Sequence, residues 1–210
     1  MNDALRHEKY NARKEIKSVI DRTRRADRAA WSARIAEHVT GLAEWGRCPI
    51  VLAFLPMYGE VNTTGMINLA FSTGKTVGVP RMYGHHIEFH KIESIDGPWD
   101  LHPYGVREPP ETLPVIDPCD GDTGDIFVIT PGLSFDVKGR RLGFGKGYYD
   151  RMIDRCRSKT DGLIFFAGVC FSVQLVETVP TGPYDRLVDA IVTEDGLVFH
   201  GSRQATGASG

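Results

Sequence analysis

Residues 141–151, with the sequence RLGFGKGYYDR, combine the residue types that bind an anion together with a divalent cation. Their three glycines let backbone N–H groups approach a phosphate closely, and Arg141 and Lys146 add full positive charges. A helix that begins at Tyr148 would add the partial positive charge of its N-terminus. Asp150 would then lie in the first helical turn, where its carboxylate can hold a metal ion against the same phosphate. The local chemistry therefore predicts a phosphate and metal site flanked by aromatic rings.

The glycine segment matches neither of the two commonest nucleotide-binding patterns. A Walker loop requires Gly-Lys followed by Ser or Thr, but Gly147 follows Lys146, and a dinucleotide fingerprint requires a further glycine after Gly147. The alternative is a tight turn that needs glycine only for its backbone conformation. Such a turn does not require Arg141, Lys146 and Asp150 alongside, so we favour the phosphate site.

Two other places in the chain carry candidate binding residues. Lys9 and Arg13 are four residues apart and share one helical face, so both can reach one polyphosphate; the alternative is a pair of solvated surface charges. Glu60 follows a short apolar strand in a Pro-Met-Tyr-Gly turn. A carboxylate there can recognise a ligand amide or amino group by paired hydrogen bonds, or it can be an ordinary surface acid.

Asp189 is flanked by apolar residues and is predicted to be half-buried. A buried aspartate needs a cation or a hydrogen-bond donor. A metal ion shared with Asp150 is one solution, and a salt bridge to Arg186 or Arg151 is the other.

The elements that position these residues alternate between helices and strands. The first 45 residues lack proline and predict one long or two consecutive helices, with Trp31, Ile35, Val39 and Leu42 facing the core. Further helices are predicted from Thr63 or Thr64 to Phe71 and over 148–157. Strands are predicted at 50–55, 76–79 (ended by proline), 87–92, 126–130, 163–169 and 188–192, with an edge strand at 197–199 and a long irregular connection over 96–125.

Continuous apolar strands separated by helices indicate an α/β protein with a mostly parallel sheet covered on both faces. Ligands of such sheets bind beyond the carboxyl ends of the strands, and the polar and glycine-rich segments converge on that edge here. We expect one domain over residues 1–200 and a disordered tail over 201–210, which is poor in apolar residues.

Composition and charge favour an ordinary soluble protein, with 41% hydrophobic and 25% charged residues among 210. The longest apolar run, 163–171, is too short to cross a bilayer, and the polar N-terminus lacks a signal-peptide core, so we expect a cytoplasmic protein without a membrane partner. The four scattered cysteines are expected to be reduced. The net charge of -2 gives no general attraction to nucleic acid, and the basic N-terminal residues are interpreted as a solvated helix face rather than an RNA site.

The sequence RLGFGKGYYDR resembles the signature of the 5-formyltetrahydrofolate cyclo-ligase family, and the resemblance extends over nearly the whole chain. Lys9 with Arg13 is similar to the family's N-terminal Lys-x-x-x-Arg, and LPMYGEVNTTGMI, from Leu55, is similar to the segment that carries its substrate-binding glutamate. The blocks YGVREP, from Tyr104, TPGLSFDVKGRRLGFGKGYYDR and YDRLVDAIVTEDG also match.

This resemblance implies a three-layer α/β/α fold with the N-terminal helices packed on the sheet, and an enzyme that uses ATP and Mg²⁺ to close 5-formyltetrahydrofolate to 5,10-methenyltetrahydrofolate, with release of ADP and phosphate. We separately expect the protein to be a monomer. The residues that it implies for ATP are Lys9, Arg13, Arg141, Leu142, Gly143, Phe144, Gly145, Lys146, Gly147, Tyr148 and Tyr149. Those for the folate are Leu55, Glu60, Phe144, Gly145, Lys146, Gly147 and Tyr148. Asp150 and Asp189 are implied for Mg²⁺, and Lys146, Arg141 and Tyr149 for catalysis.

One departure from the family pattern raises a second hypothesis. Phe144 occupies a loop position that is often arginine in the family, which removes a charge next to the phosphates. The alternative function is therefore that of a non-catalytic or altered-specificity paralogue that binds folate or nucleotide.

Overall fold

The computed structural model describes residues 3–102, 105–120, 123–158 and 162–201. Its helices are α1 (Asp3–Arg22), α2 (Arg25–Thr40), α3 (Ala43–Arg47), α4 (Thr64–Ser72) and α5 (Tyr148–Arg157). Its strands are β1 (Ile50–Leu52), β2 (Thr76–Tyr83), β3 (His86–Ile92), β4 (Asp100–Leu101), β5 (Arg107–Glu108), β6 (Val115–Ile116), β7 (Ile126–Thr130), β8 (Ser134–Phe135), β9 (Arg141–Leu142), β10 (Ile164–Val169), β11 (Ala190–Thr193) and β12 (Gly196–His200). Apart from Gly201, the predicted disordered tail lies outside the described residues.

The central sheet has the strand order β12-β11-β10-β7-β1-β2-β3-β6. The strands from β11 to β2 in this order run parallel to one another, whereas β12, β3 and β6 are antiparallel to their neighbours. Every residue of β7 and β10 is buried, which is why these strands read as continuous apolar runs. The predicted α/β architecture with a mostly parallel sheet is confirmed.

Helices cover both faces of this sheet. On one face Ile35 and Val39 of α2 and Ile67 of α4 are fully buried in one apolar cluster with β1 and β7. Trp31 and Leu42 pack on the same cluster, as their helical spacing predicted. On the opposite face Met152 and Ile153 of α5 are buried in a second cluster. The layers are therefore α/β/α, with α2 packed directly on the sheet.

Helix α1 is placed differently from α2. It buries Ile16 and Ile20 against Leu133, which lies just beyond β7 in the chain. Leu133 follows the carboxyl end of β7, so α1 lies along the edge of the sheet where ligands of this fold class bind.

Strand β2 differs from its prediction because it continues through Pro80 to Tyr83. It pairs with β1 as far as Gly78, and among the described strands only β3 pairs with it beyond that residue. A residue without an N–H group is tolerated where a strand has a free side. The predicted irregular connection is also more ordered than expected, because β4 pairs with β5 and β6 extends the sheet next to β3.

The expectation that all four cysteines are reduced was wrong. Cys119 and Cys156 form a disulfide across 37 residues of sequence, and it ties the segment after β6 to α5. Cys48 and Cys170 are free and buried. Both bridged residues lie in the same apolar cluster, a long-range contact that cysteine spacing does not reveal.

Candidate active site

A cavity of about 1430 Å³ lies at the carboxyl edge of the parallel strands, between α1, the glycine segment and the turn after β1. A smaller cavity of about 590 Å³ adjoins it and shares Leu55, Glu60 and Phe144 with it. Basic residues outnumber acidic ones in the lining of the larger cavity: Lys9, Arg13, Lys17, Arg107, Arg141, Lys146 and Arg151 against Glu60, Glu108, Asp150 and Asp185. This lining suits an anionic ligand.

Arg141 is a buried cation of the larger cavity, with only 6% of its surface exposed. Its Nη1 donates to the carbonyl of Pro131 at 3.2 Å, and its Nη2 lies 3.0 Å from Asp150 Oδ2 as an ion pair. Among the described residues, however, its Nε and Nη2 have no partner with hydrogen-bond geometry. A buried guanidinium with unfilled donors is suited to an oxyanion such as a phosphate.

The glycines of the segment keep the space around this guanidinium open. A Cβ on Gly143 would lie 2.9 Å from Arg141 Nη1. Gly147 precedes α5 with a φ of 67°, a left-handed conformation that disfavours other residues. Within the described ranges, no side-chain hydrogen bond caps α5 at Gly147, so the first N–H groups of this helix are left without a cap. Lys146, which is exposed, lines the same cavity.

Helix α1 contributes Lys9 and Arg13 to the lining of the larger cavity. Lys9 is 6% exposed, and its Nζ contacts both carboxylate oxygens of Asp185, at 2.6 and 2.5 Å. Arg13 Nε donates to the carbonyl of Gly143 at 2.9 Å, which ties α1 to the glycine segment. Partial burial lowers the pKa of Arg13, and the nearby Asp185 carboxylate opposes this shift. Both predicted N-terminal residues therefore reach the cavity.

The turn after β1 places Glu60 in both cavities. Gly59 has a φ of 85°, and a Cβ there would lie 2.8 Å from Ile20 Cγ2, so α1 packs directly on this turn. Glu60 Oε2 accepts a hydrogen bond from the N–H of Met57 at 2.8 Å. Desolvation raises the pKa of Glu60 to about 7, although that hydrogen bond opposes the shift. Leu55, buried beside it, completes an apolar wall.

Two tyrosines at the start of α5 form the aromatic part of the cavity. The hydroxyl of Tyr148 donates to the carbonyl of Gly84 at 3.0 Å, and the Arg151 guanidinium carbon lies 5.5 Å from its ring centroid. The hydroxyl of Tyr149 is buried and lacks a hydrogen-bond partner within the described ranges. Burial raises the pKa of Tyr149, and its ring centroid lies 5.6 Å from the guanidinium carbon of Arg141.

The predicted metal ligands are separated by the structure. Asp150 lines the cavity and accepts a hydrogen bond from the Arg186 N–H at 3.2 Å. Asp189 lies beside the other end of α5, where it accepts hydrogen bonds from the Phe166 N–H at 2.9 Å and from Arg157 at 3.1 Å. The helix between the two contacts is about 10 Å long at 1.5 Å per residue.

The charge of Asp189 is therefore paired in a salt bridge, and its partner is Arg157, not Arg186 or Arg151 as predicted. Across the described part of the chain, no three or more His, Cys, Asp or Glu side chains are grouped to hold a metal ion. Magnesium usually takes only one or two protein carboxylates and fills its shell with phosphate oxygens and water. Asp150 fits that role in this cavity, whereas Asp189 is engaged outside it.

Several lining residues escaped the sequence analysis. Asp185 lies just before the last parallel strand, and it forms an ion pair with Lys9. Lys17 lies one turn beyond Arg13 on α1 and lines both cavities, as does Arg107 of β5. The i, i+4 spacing of Arg13 and Lys17 was the available signal for the first of these. Tyr104, where the YGVREP match begins, lies outside the described residues.

The fold and the cavity together define the class of the protein: a three-layer α/β protein with a cation-lined cavity at the carboxyl edge of its sheet. Comparison with known proteins identifies the family. The model of the 5-formyltetrahydrofolate cyclo-ligase family matches residues 5–194, so the chain belongs to this family, which makes it an enzyme of the ligase class.

Individual relatives agree with this assignment. A probable 5-formyltetrahydrofolate cyclo-ligase of Schizosaccharomyces pombe is 33% identical over 181 residues, covering 80% of this chain and 85% of the relative. The 5-formyltetrahydrofolate cyclo-ligase of Saccharomyces cerevisiae is 30% identical, covering 89% and 95%. The solved structure of Aquifex aeolicus 5,10-methenyltetrahydrofolate synthetase superposes with a TM-score of 0.74 at 28% identity, covering 96% of this chain and 95% of that one.

Among the described residues, every helix is too short or too polar to cross a bilayer.

Proposed function

We propose that this protein catalyses the ATP-dependent cyclisation of 5-formyltetrahydrofolate to 5,10-methenyltetrahydrofolate, with release of ADP and phosphate. The observation that carries the proposal is the buried guanidinium of Arg141, whose Nε and Nη2 lack hydrogen-bond partners among the described residues. It lies below a glycine segment and an uncapped helix N-terminus, which together form a cradle for a phosphoryl group. Family membership supplies the reaction that such a cradle would serve.

The proposed chemistry needs a phosphoryl transfer and no protein nucleophile. Transfer of the γ-phosphoryl group to the formyl oxygen forms an O–P bond and releases ADP. The second folate nitrogen then attacks the formyl carbon and loses its proton, the C–O bond breaks, and phosphate leaves. Such a transfer depends mainly on positioning the reactants and on neutralising the charge of the phosphoryl group. Arg141 and Lys146 would supply the positive charge that neutralises it.

The remaining basic residues would hold the nucleotide. Lys9 and Arg13 of α1 line the same cavity as the glycine segment, and Arg13 is hydrogen-bonded to that segment at Gly143. We assign the binding of the triphosphate to Lys9, Arg13 and residues 141–149. Mg²⁺ bound with the nucleotide supplies further charge neutralisation, and Asp150 is the cavity carboxylate suited to hold it.

The folate would occupy the side of the cavity that adjoins the smaller chamber. Leu55 and Phe144 offer apolar surface there, and the Tyr148 ring, fixed by its bond to Gly84, is placed to stack on a pterin. Glu60 offers a carboxylate for the amide and amino groups of the pterin. The hydroxyl of Tyr149 offers one further donor, because it is buried and has no hydrogen-bond partner among the described residues.

We retain a monomer as the proposed functional unit. The basic residues Lys9 and Arg13 face the cavity instead of forming an open surface for nucleic acid. We retain the cytoplasm as the proposed location. Measuring whether Cys119 and Cys156 are bridged or reduced in the cell would test this location, because structural disulfides are uncommon in the cytoplasm.

Phe144 supports the second candidate function, that of a non-catalytic or altered-specificity paralogue. Its side chain is 42% exposed and lines both cavities, where an arginine would contribute charge to a phosphate. Calorimetry that detects binding of ATP and folate without any turnover would favour this alternative.

The direct test is the absorbance of the methenyl product. Purified protein, 5-formyltetrahydrofolate, ATP and Mg²⁺ are expected to generate the methenyl band with release of one ADP per product. Arg141→Gln should lower kcat/KM by about 10²-fold, as expected when a charged donor to the transition state is removed. Arg34→Gln, an exposed arginine of α2, serves as the matched control. Absence of product at saturating substrates would refute the proposed activity.

A further inference from the structure

We infer that Asp185 is a positioning residue of the nucleotide site: it fixes Lys9, and through Lys9 the first turns of α1, against the glycine segment. This inference rests on the proposed function, because it concerns the wall that would hold the triphosphate. Asp185 itself has no assigned role in the reaction.

The contact between Asp185 and Lys9 joins residues 176 positions apart in the sequence. Lys9 Nζ lies within 2.6 Å of both carboxylate oxygens, and the side chains are 8% and 19% exposed. An ammonium group this deeply buried needs a partner, since an unpaired charge in that environment is strongly destabilised. Asp185 therefore pairs with Lys9 and holds it inside the cavity wall instead of turned out to solvent.

The turn that carries Asp185 is itself anchored to α5. The Gly182 N–H donates to Asp185 Oδ2 at 2.5 Å, which closes the turn. The N–H of Arg186 donates to Asp150 Oδ1 at 3.2 Å, and Arg186 Nε donates to Asp154 at 2.7 Å. The turn thus bridges α1 on one side and the first turns of α5 on the other.

The packing around the turn agrees with this bridging role. A Cβ on Gly182 would lie 2.7 Å from Leu5 Cδ2, so the start of α1 rests directly on the turn. Four residues after Lys9, Arg13 donates to the carbonyl of Gly143. The two basic residues of α1 are therefore held at different points: Asp185 holds Lys9, and the glycine segment holds Arg13. Both residues line the cavity.

A direct test measures the affinity for a non-hydrolysable ATP analogue by calorimetry. Asp185→Asn is nearly isosteric and keeps an oxygen that can accept the Gly182 N–H, so the turn is retained while the charge is lost. We expect affinity for the analogue to fall about tenfold and KM for ATP to rise by a similar factor, with kcat and the KM for folate changed less than twofold. Asp185→Glu, which restores the charge, should recover most of the affinity.

A double-mutant cycle with Lys9→Ala shows whether Asp185 acts through Lys9. The double variant should bind the analogue no more weakly than Lys9→Ala alone. Asp154→Asn is the matched control, because it weakens one exposed contact of the turn with α5 and leaves in place both the Lys9–Asp185 pair and the Arg186 N–H bond to Asp150. It should bind the analogue as the unmodified protein does.

Three results would overturn the inference: unchanged or tighter binding by Asp185→Asn, independent effects in the double variant, or an equal loss in Asp154→Asn. Failure of the unmodified protein to bind the analogue is a different outcome, because it would refute the proposed nucleotide site as a whole.

Discussion

Arg141 and Asp150 face each other at the base of the cavity, with Nη2 and Oδ2 3.0 Å apart. The pair sets one positive and one negative group side by side beneath the glycine segment. A phosphate can take the unfilled donors of Arg141, and a metal ion bound to that phosphate can take the carboxylate of Asp150. The same two residues thereby offer complementary contacts to a metal–nucleotide complex.

Replacement of Asp150 and of Asp189 should have different consequences. Asp150→Asn is expected to weaken the binding of Mn²⁺ in the presence of ATP, because it removes the carboxylate that lines the cavity. Asp189→Asn should leave Mn²⁺ binding unchanged and lower the free energy of unfolding by about 1–3 kcal/mol, because it weakens a buried charge-assisted contact with Arg157. Electron paramagnetic resonance of Mn²⁺ and urea denaturation measure the two effects. Loss of Mn²⁺ binding in Asp189→Asn would assign that residue to the metal after all.

The pKa of Glu60 predicts how folate binding depends on pH. Only the ionised carboxylate accepts hydrogen bonds with both oxygens, so the KM for folate should fall as pH rises through about 7. Glu60→Gln should abolish this dependence and weaken binding at high pH. A KM that is constant between pH 6 and pH 8 in the unmodified protein would contradict the assignment.

The same group links pH to stability. Its pKa in the folded protein, about 7, is above its ordinary value of 4.5, so the folded state favours the neutral acid. The contribution of Glu60 to stability is complete below pH 4.5 and is lost as pH rises through 7. The unfolding free energy of the unmodified protein should therefore decline relative to that of Glu60→Gln over this interval.

Gly143 offers a way to disturb Arg141 without changing any charge. Gly143→Ala would place a methyl group 2.9 Å from Arg141 Nη1, so the guanidinium must shift. We expect kcat/KM to fall about tenfold, which corresponds to roughly 1.4 kcal/mol. Gly46→Ala is the matched control, because a Cβ there meets no atom within 4 Å; in helix α3 it should stabilise the protein by up to about 1 kcal/mol. Equal activities of the two variants would show that Arg141 tolerates the displacement.

The disulfide between Cys119 and Cys156 should contribute to stability by restricting the unfolded chain. Reduction is expected to lower the free energy of unfolding by about 2–4 kcal/mol, as measured by urea denaturation with and without dithiothreitol. The double variant Cys119→Ala/Cys156→Ala should be insensitive to the reductant. A count of four free thiols in the native protein would exclude the bridge.

Sequence reasoning succeeded where the relevant contacts are local. Helix α5 begins and ends at the predicted residues, Tyr148 and Arg157, because the glycine turn and the amphipathic pattern lie within one short segment. The placement of β2 failed at Pro80, since the penalty for proline in a strand depends on whether a neighbouring strand is present.

The candidate site was predictable to a similar extent. The glycine segment, Glu60 and the N-terminal pair were each recognised from their neighbours in the sequence, and all of them line one cavity. The contact of Lys9 with Asp185 and that of Asp189 with Arg157 could not be predicted, because they depend on how distant elements pack. Charge alone does not select one partner among several arginines.

The link between Lys9 and Asp185 also bears on the biosynthesis of the protein. Lys9 in helix α1 is anchored by Asp185, a turn residue that is translated 176 residues later. A nascent chain that stops before this turn contains the whole glycine segment and still lacks one anchor of α1. The cavity wall therefore has one anchor that depends on Asp185, whereas the contacts of α1 with Leu133 and Gly143 involve only the chain before this turn.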